Sequence, residues 1–225
     1  MTPVRALHRW DISYTEARKI QETLAAKVIL KAPDKTVRLI GGADVSFNRF
    51  SPTLYAGIVV LTFPGLEPVE EAWAVSRTAF PYVPGYLSFR EAPAVLEVIK
   101  KLKILPDILM LDGQGIAHPR GLGLAAHIGL ILDLPTIGCA KSLLVGTHNP
   151  VGPIKGDSTP LIFKEKEVGR VLRTRDHVKP VFVSPGHLMD VDTAAAITLA
   201  CCPKYRLPEP TRQAHHLVNR ARRGE

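Results

Sequence analysis

The sequence predicts an α/β protein in which helices flank a mixed β-sheet, built as a single domain over residues 1–225. Three observations support this fold class. Three strand-like segments follow one another with short turns between them, and helix-like and strand-like segments then alternate. The length of 225 residues fits one large domain, and the 46% hydrophobic and 22% charged residues are ordinary for a globular protein.

The first predicted element is an amphipathic helix. Ser13 and Glu16 form a capping box at its start, and the helical pattern runs to about Lys31, where Ala32-Pro33-Asp34 ends it. Three strand-like segments come next, and the short turns between them indicate an antiparallel meander. These segments are residues 37–47, 54–63 and 68–78.

The remaining elements alternate between the two types of structure. A helix is predicted from Ser88 to about Lys103, followed by the apolar strand ILML and a glycine-rich turn. The order of strands and helices to this point is that of a ribonuclease H-like sheet. Further elements are predicted at residues 121–132 (helix), 134–140 (strand), 161–184 (strands, including 181–184), 190–201 (helix) and from about 211 to 223 (a basic helix).

The charge of the chain indicates an anionic partner. The net charge is +8 and the isoelectric point is about 9.5, and nucleic acid is the usual partner of so basic a protein. Part of the excess lies at the C-terminus, which carries Arg212, Arg220, Arg222 and Arg223. Charge alone does not distinguish a nucleic-acid-binding protein from an enzyme.

Other counts bear on the compartment. The three cysteines include the adjacent pair Cys201 and Cys202, which forms neither a disulfide framework nor a CxxC metal pair. Apolar runs fall short of the roughly 18 residues of a membrane span, and the first residues lack the apolar core of a signal peptide. We therefore expect a cytoplasmic protein with free thiols, without a membrane partner, and monomeric.

Two aspartates are candidate site residues. Asp44 lies inside the otherwise apolar strand GGADVSF, where a carboxylate is costly to bury unless it is paired or bound to a metal. Asp112 ends the apolar strand ILML and precedes Gly-Gln-Gly, and ligand sites in parallel sheets lie at the carboxyl ends of strands. The alternative for Asp44 is a strand edge that faces water.

Glu91 is a third candidate with a structural alternative. Ser88 and Glu91 have the spacing of a capping box, which by itself explains a glutamate at that position. Together with Asp44 and Asp112, however, Glu91 completes a set of carboxylates on three neighbouring elements. Mg²⁺ prefers such oxygen ligands, and a pair of metal ions about 4 Å apart can activate water and stabilise a leaving phosphodiester oxygen.

His118 and Lys141 extend the candidate set. His118, in GIAHPRG, could orient or protonate water or donate to a phosphate. Lys141, in IGCAKSLL, could balance the carboxylates or hold a phosphate oxygen. Taken alone, each residue is better explained as a loop or surface side chain.

The glycine-rich turn also fits another pattern. Gly121, Gly123 and Ala126 match the G-x-G-x-x-A form of the dinucleotide-binding fingerprint. Residues 112–121 separate them from the preceding strand, so the required tight strand-turn-helix is missing. We therefore expect no nucleotide cofactor.

The loop PYVPGYLSFRE carries a tyrosine between two prolines. Pro81 and Pro84 stiffen the backbone and hold Tyr82 out, and Gly85 permits a turn or a close approach. The alternative is a connecting loop whose tyrosine packs on the core.

Several longer motifs, taken in order, resemble the endonuclease V (deoxyinosine 3′-endonuclease) family. They are GADVSF, PYVPGYLSFRE, LDGQGIAHPRGLGLAAHIGLILDLPTIGCAKSLLVG, SPGHLMDVDTA and YRLPEPTR, and the resemblance runs from about Ala17 to Arg212. The resemblance implies a ribonuclease H-like fold and a Mg²⁺-dependent DNA repair nuclease, with Mn²⁺ as a substitute. Its substrate would be single- or double-stranded DNA containing deoxyinosine, hydrolysed at the second phosphodiester bond 3′ to the lesion.

The resemblance also implies roles for individual residues. Asp44 and Asp112 correspond to metal ligands, Glu91 to the third catalytic carboxylate, and His118 and Lys141 to residues that support catalysis. The wedge loop, which would enter the DNA stack, comprises Pro81, Tyr82, Val83 and Pro84. The pocket for the flipped base would be lined by Gly85, Leu87, Gly123 and Leu144, and His215 would lie near the site.

This assignment explains why a stiff loop would carry Tyr82. A damaged base in a duplex must be extruded from the stack to be read, and aromatic or apolar wedges fill the gap it leaves. Val83, where the family has isoleucine, is a conservative departure, and Gln114 departs from the family pattern in a way that leaves its role open. Two alternatives stay open: an inosine-specific endoribonuclease, and a non-catalytic nucleic-acid-binding protein on the same fold.

Overall fold

A computed structural model describes residues 4–48 and 51–225. Its helices are α1 (Tyr14–Ala25), α2 (Leu87–Ile99), α3 (Leu124–Leu132), α4 (Val191–Ala200) and α5 (Glu209–Arg223). Its strands are β1 (Leu39–Ser46), β2 (Thr53–Thr62), β3 (Pro68–Arg77), β4 (Ile108–Leu111), β5 (Thr136–Ala140), β6 (Ser158–Phe163), β7 (Lys166–Leu172) and β8 (Val181–Pro185).

The eight strands form one mixed sheet in the order β3-β2-β1-β4-β5-β8-β7-β6. β4 runs parallel to β1 and to β5, and the other neighbouring strands are antiparallel. The meander β1-β2-β3 and the parallel strands β4 and β5 are the ribonuclease H-like arrangement that the sequence predicted, which confirms the fold class.

Helices cover both faces of this sheet because its central strands are apolar on both sides. Along β4, Leu109 and Leu111 face one cluster of buried side chains while Ile108 and Met110 face the other, with the period of two expected for a strand. Helices α2 and α3 pack on the first face. Helices α4 and α5 pack on the second. The carboxyl ends of β4 and β5 therefore open between two helical layers.

Helix α1 has the predicted start and an earlier end. Ser13 and Glu16 form the capping box in both directions, as the sequence indicated. The helix ends at Ala25 rather than near Lys31, because the next residues make tertiary contacts as an irregular segment. Val28 joins an apolar cluster, and the backbone N–H of Ile29 donates to Nδ1 of His187 at 3.2 Å.

The capping box predicted at Ser88 and Glu91 does not form at the start of α2. The helix begins at Leu87 after the N-cap Tyr86, so Ser88 is its second residue and its Oγ is buried without a hydrogen-bond partner. The turn that precedes the helix sets this start, because the N–H of Tyr86 donates to the carbonyl of Val83 at 3.0 Å. The capping explanation for Glu91 is therefore wrong.

Smaller differences concern other boundaries. Helix α2 ends at Ile99 rather than near Lys103, and α5 begins at Glu209, slightly before residue 211. All three cysteines are buried free thiols. Within the described residues, the helices are too short or too polar to cross a membrane.

Candidate active site

The register of the central strands brings Asp44 and Asp112 together. Ala43 of β1 pairs with Leu111 of β4 in the parallel ladder, so the next residue on each strand is an aspartate. The backbone N–H of Asp112 donates to the carbonyl of Ala43 at 3.2 Å and continues this pairing. Two carboxylates thus lie side by side where β4 ends.

Glu91 reaches the same place from the first helical layer. Burial and the negative charges of Asp44 and Asp112 raise the pKa of Glu91 from 4.5 to about 8. The pKa of Asp112 is raised as well, chiefly by burial and then by Asp44. The three carboxylates therefore repel one another, and Glu91 is largely protonated at neutral pH in the metal-free protein.

Basic side chains contact both aspartates. Lys141, which follows β5, forms an ion pair with Asp112. His215 of α5 places Nδ1 at 2.7 Å from Oδ2 of Asp44, and this contact raises the pKa of the imidazole. Asn219, one turn further along α5, lies 3.0 Å from Nε2 of His215. Each aspartate thus has a basic side chain as a neighbour.

The carboxylate set has the chemistry of a Mg²⁺ site. Carboxylate oxygens are the ligands that hard divalent cations prefer, and the pKa values of Glu91 and Asp112 are raised by burial and by the neighbouring carboxylates, both of which a bound cation would counteract. In residues 4–48 and 51–225, no three His, Cys, Asp or Glu side chains are arranged closely enough to hold a metal ion. A bound cation would compete with Lys141 for Asp112, whereas His215 contacts Oδ2 of Asp44 and orients that carboxylate.

A cavity of about 410 Å³ adjoins the carboxylates. It lies between the wedge loop, the start of α2, the glycine-rich turn before α3 and the segment after β5. Ten of the site residues predicted from the sequence line it: Tyr82, Pro84, Gly85, Leu87, Glu91, Asp112, His118, Gly123, Lys141 and Leu144.

The other named residues lie around this cavity rather than on its wall. Asp44 and His215 are at the sheet side of the carboxylate cluster. Pro81 and Val83 belong to the wedge loop but do not line the cavity, and Pro81 borders a separate hollow beside Arg90.

The wedge loop presents its tyrosine to solvent. Tyr82 is 57% exposed, and its ring lies 5.9 Å from that of Phe47 on the neighbouring β1–β2 connection. The loop then turns tightly over Val83–Tyr86, and Gly85 adopts a φ of 80° that strongly favours glycine. The sequence-based alternative of a tyrosine packed on the core is therefore wrong.

The glycine-rich turn makes the opposite wall of the cavity. The N–H of Gly123 donates to the carbonyl of Gly115 at 2.9 Å, and a Cβ at Gly123 would lie only 2.4 Å from the carbonyl oxygen of Gln114. Gln114 donates to the carbonyl of Ser142 at 3.2 Å, which links this turn to the segment after Lys141. Glycine at position 123 is required by this close backbone contact.

His118 is oriented toward the wedge loop. Its Nδ1 accepts from the N–H of Arg120 at 3.2 Å, so Nε2 carries the proton and donates to the carbonyl of Gly85 at 3.0 Å. Burial lowers the pKa of His118 to about 4, so the ring is neutral at pH 7. In this arrangement both ring nitrogens are engaged by backbone groups.

Sequence reasoning missed several residues of this site. Gln21 lies on the buried stripe of α1 between Ala17 and Leu24, and a polar residue on that stripe was the available signal. Arg120 follows His118 in the same turn and was not singled out. Arg90 and Asn219 were not singled out either: Arg90 donates to the carbonyl of Phe80, and Asn219 lies one helical turn after His215 on α5.

Comparisons with known proteins show the family of this chain. A family model described as Endonuclease V matches residues 22–216. Endonuclease V of Kosmotoga olearia is 50% identical over 221 residues, which cover 98% of this chain and 97% of that protein. The crystal structure of endonuclease V from Streptomyces avermitilis has a TM-score of 0.91 and 44% identity, and covers 99% of each chain.

A further solved structure contains nucleic acid. Endonuclease V of Ciona intestinalis is similar to this chain with a TM-score of 0.82 and 30% identity, over 93% of this chain and 98% of its own. That structure is a complex with a 24mer DNA containing an inosine followed by a ribo-adenosine. With such similarity over almost its whole length, the chain belongs to the endonuclease V family of deoxyribonuclease V-type enzymes.

Proposed function

We propose that this protein is a Mg²⁺-dependent repair endonuclease that recognises deoxyinosine in DNA and hydrolyses the second phosphodiester bond 3′ to it. The observation that supports this proposal is the pairing of Asp44 and Asp112 at the end of β4, with Glu91 and Asp112 both on the wall of a cavity bordered by Tyr82. A lesion-reading pocket and a candidate hydrolytic centre thus lie next to each other, as cleavage at a fixed distance from a base requires.

Asp44, Asp112 and Glu91 would hold the Mg²⁺. When bound, the cation supplies a water of lowered pKa and stabilises charge on the reacting phosphate. Lys141 pairs with Asp112 through Nζ. With the cation bound to that aspartate, Lys141 would be free to donate to a phosphate oxygen. His215 keeps Asp44 oriented through its hydrogen bond at 2.7 Å.

The remaining residues would act on the base. Tyr82, held out on its proline-bounded loop, would enter the stack, and the extruded base would occupy the cavity of about 410 Å³. Backbone groups at Gly85 and Leu87 and the apolar side chain of Leu144 border that space. Hypoxanthine offers an O6 acceptor and an N1–H donor, which backbone groups can recognise.

A second candidate substrate is inosine-containing RNA. The Ciona intestinalis relative is bound to a strand in which a ribo-adenosine follows the inosine. A ribonucleotide at that position adds a 2′-hydroxyl close to the bond that would be cut. We therefore propose testing DNA and RNA strands side by side.

The deciding experiment is a cleavage assay on a labelled strand with one deoxyinosine. We expect a single nick one nucleotide beyond the lesion, which requires Mg²⁺ or Mn²⁺ and disappears with chelator or with deoxyadenosine in place of deoxyinosine. An Asp112→Asn variant serves as the inactive control. Preferential binding of the inosine strand without cleavage would contradict the proposed reaction and leave a lesion-binding protein.

We also propose that the enzyme acts in the cytoplasm as a monomer. Its buried free thiols, Cys139, Cys201 and Cys202, are compatible with a reducing compartment. Light scattering after size-exclusion chromatography would test the mass against 24.6 kDa for one chain.

A further inference from the structure

The carbonyl oxygen of Gly85 accepts hydrogen bonds from three side chains that lie far from it in sequence. It accepts from Nη2 of Arg120 at 2.6 Å, from Nε2 of Gln21 at 3.0 Å and from Nε2 of His118 at 3.0 Å. Backbone carbonyls ordinarily accept one or two hydrogen bonds. Three donors, one of them charged, hold this peptide group in a single orientation.

The donors also fix one another. Nε of Arg120 donates to Oε1 of Gln21 at 2.5 Å, which sets the amide orientation so that Nε2 faces Gly85. The second hydrogen of that amide is directed to the carbonyl of Leu122 at 3.3 Å. Gln21 is fully buried, so its polar atoms depend on these partners rather than on water. The group is a polar network of two buried side chains, Gln21 and His118, joined by the partly buried Arg120.

Glycine at position 85 is suited to this network in two ways. Its φ of 80° is strained for other residues, and a Cβ there would lie 3.1 Å from Nη2 of Arg120. Arg120 also stacks over the ring of Tyr86, with Cζ 4.3 Å from the ring centroid. The guanidinium thus holds the residue before α2 as well as the turn itself.

The other end of the wedge loop is anchored in a similar way. Nη1 of Arg90 donates to the carbonyl of Phe80 at 2.7 Å, and this arginine is buried on α2. Between the two anchored carbonyls lie Pro81–Pro84, with Tyr82 more than half exposed. The loop is therefore held at both ends, and its middle presents the Tyr82 side chain to solvent.

We propose that Gln21, Arg120 and His118 form a clamp on Gly85 that positions the wedge loop for duplex substrates. This inference rests on the function proposed above. Gln21 and Arg120 are positioning residues, because neither lines the 410 Å³ cavity among the described residues and both act through Gly85. The neutral state of His118, whose pKa is lowered by burial, suits a hydrogen-bond donor to a carbonyl.

The clamp should matter for duplex substrates because a wedge must stay in place while it separates stacked bases. Holding the Gly85 carbonyl restrains ψ of Gly85 and φ of Tyr86, the two torsions that join the loop to α2. The pocket bordered by Gly85 serves both substrates, whereas a single-stranded substrate has no opposing stack and so needs no rigid wedge. Loss of the clamp should therefore affect duplex cleavage more than single-strand cleavage.

Gln21→Met and Arg120→Met test the clamp. Each removes the hydrogen bonds while keeping an unbranched side chain, and Arg18→Met, at an exposed ion pair on α1, is the matched control. We expect kcat/KM on an inosine duplex to fall roughly tenfold, mainly through KM, with a change of less than about twofold on the single strand. Arg120→Lys should recover part of the loss, since an amine can reach Gly85 but lacks the guanidinium fork.

Hydrogen exchange gives an independent readout. The N–H of Tyr86, which donates to Val83, should exchange faster in Gln21→Met and Arg120→Met than in wild type or Arg18→Met. Unchanged exchange together with an unchanged duplex-to-single-strand ratio would overturn the clamp. If the wild-type protein does not cut inosine DNA, the proposed function fails, while exchange at Tyr86 still decides whether the clamp exists. Should either methionine variant be unfolded by thermal melting, Arg120→Lys provides both readouts.

Discussion

His215 and Asp44 are joined by a 2.7 Å contact between Nδ1 and Oδ2, although 171 positions separate them in sequence. The contact connects α5 to the middle of β1. Asn219 supports the imidazole from its other side, at 3.0 Å from Nε2. An outer residue that orients a metal-binding carboxylate typically changes metal affinity or activity about 10- to 100-fold when it is removed.

The first prediction follows from this pair. His215→Ala should raise the Mg²⁺ concentration needed for half-maximal cleavage by roughly tenfold, because Asp44 loses the partner that orients it. A Mg²⁺ titration of the cleavage rate measures this shift. Asn219→Ala should give a smaller shift in the same direction. If His215→Ala had the Mg²⁺ dependence of wild type, the imidazole would not be orienting Asp44.

The aspartates themselves should be indispensable for cleavage. Asp44→Asn or Asp112→Asn should reduce the rate by about a thousandfold or more, since each removes a charged ligand from the proposed metal site. Binding to inosine DNA should survive, because the wedge and the cavity are intact. Gel-shift and cleavage assays on the same strand separate the two effects, and full activity in either variant would disprove the metal assignment.

Glu91 should make the metal-free protein less stable as the pH rises. Its pKa is about 8 when folded, above its ordinary value of 4.5, so between these values the folded protein keeps a proton that the unfolded chain releases. The stabilisation from that proton is complete below pH 4.5 and is lost as the pH rises to about 8. Glu91→Gln cannot titrate, so above pH 8 it should exceed wild type in unfolding free energy by on the order of 1–3 kcal/mol.

Urea unfolding with chelator at pH 5 and pH 8.5 measures this difference. The two proteins should be close in stability at pH 5 and diverge at pH 8.5. Added Mg²⁺ should stabilise wild type more than Glu91→Gln, because a cation that binds the folded state shifts the equilibrium toward it. Equal pH slopes for the two proteins would show that Glu91 titrates normally.

Tyr82 should matter most when the substrate has a stack to open. Tyr82→Ala should weaken binding to an inosine duplex by about tenfold, within the range for loss of one aromatic stacking contact, and should affect an inosine single strand less. Tyr82→Phe, which keeps the ring, should remain near wild type. Fluorescence anisotropy with the two substrates measures both affinities. Equal losses on both would argue that Tyr82 contacts the strand without acting as a wedge.

Much of this architecture was predictable because its signals are local. The meander came from alternating apolar segments separated by turn-forming residues, and the start of α1 from the capping box at Ser13 and Glu16. Asp44 and Asp112 stood out because a carboxylate in or after an apolar strand requires a reason. The family resemblance then connected these residues to Tyr82 and Glu91.

Where local and tertiary forces competed, the sequence was misleading. The helical pattern after Ala25 is interrupted because Val28 and Ile29 find partners elsewhere. The capping box at Ser88 does not form because the Val83–Tyr86 turn starts α2 one residue before it. At α1 the tertiary contacts, and at α2 the preceding turn, outweigh a local preference of about 1 kcal/mol.

The sequence by itself determined the succession of strands and helices along the chain, the apolar faces and the identity of the carboxylates, since each depends on periodicity or on residue type at one place in the chain. Only the tertiary structure decided which groups meet. Parallel register put Asp112 beside Asp44, α5 returned His215 to β1, and α1 carried Gln21 to the carbonyl of Gly85. These contacts join residues far apart in sequence, and their energies arise from burial and hydrogen-bond geometry that form only when the layers pack together.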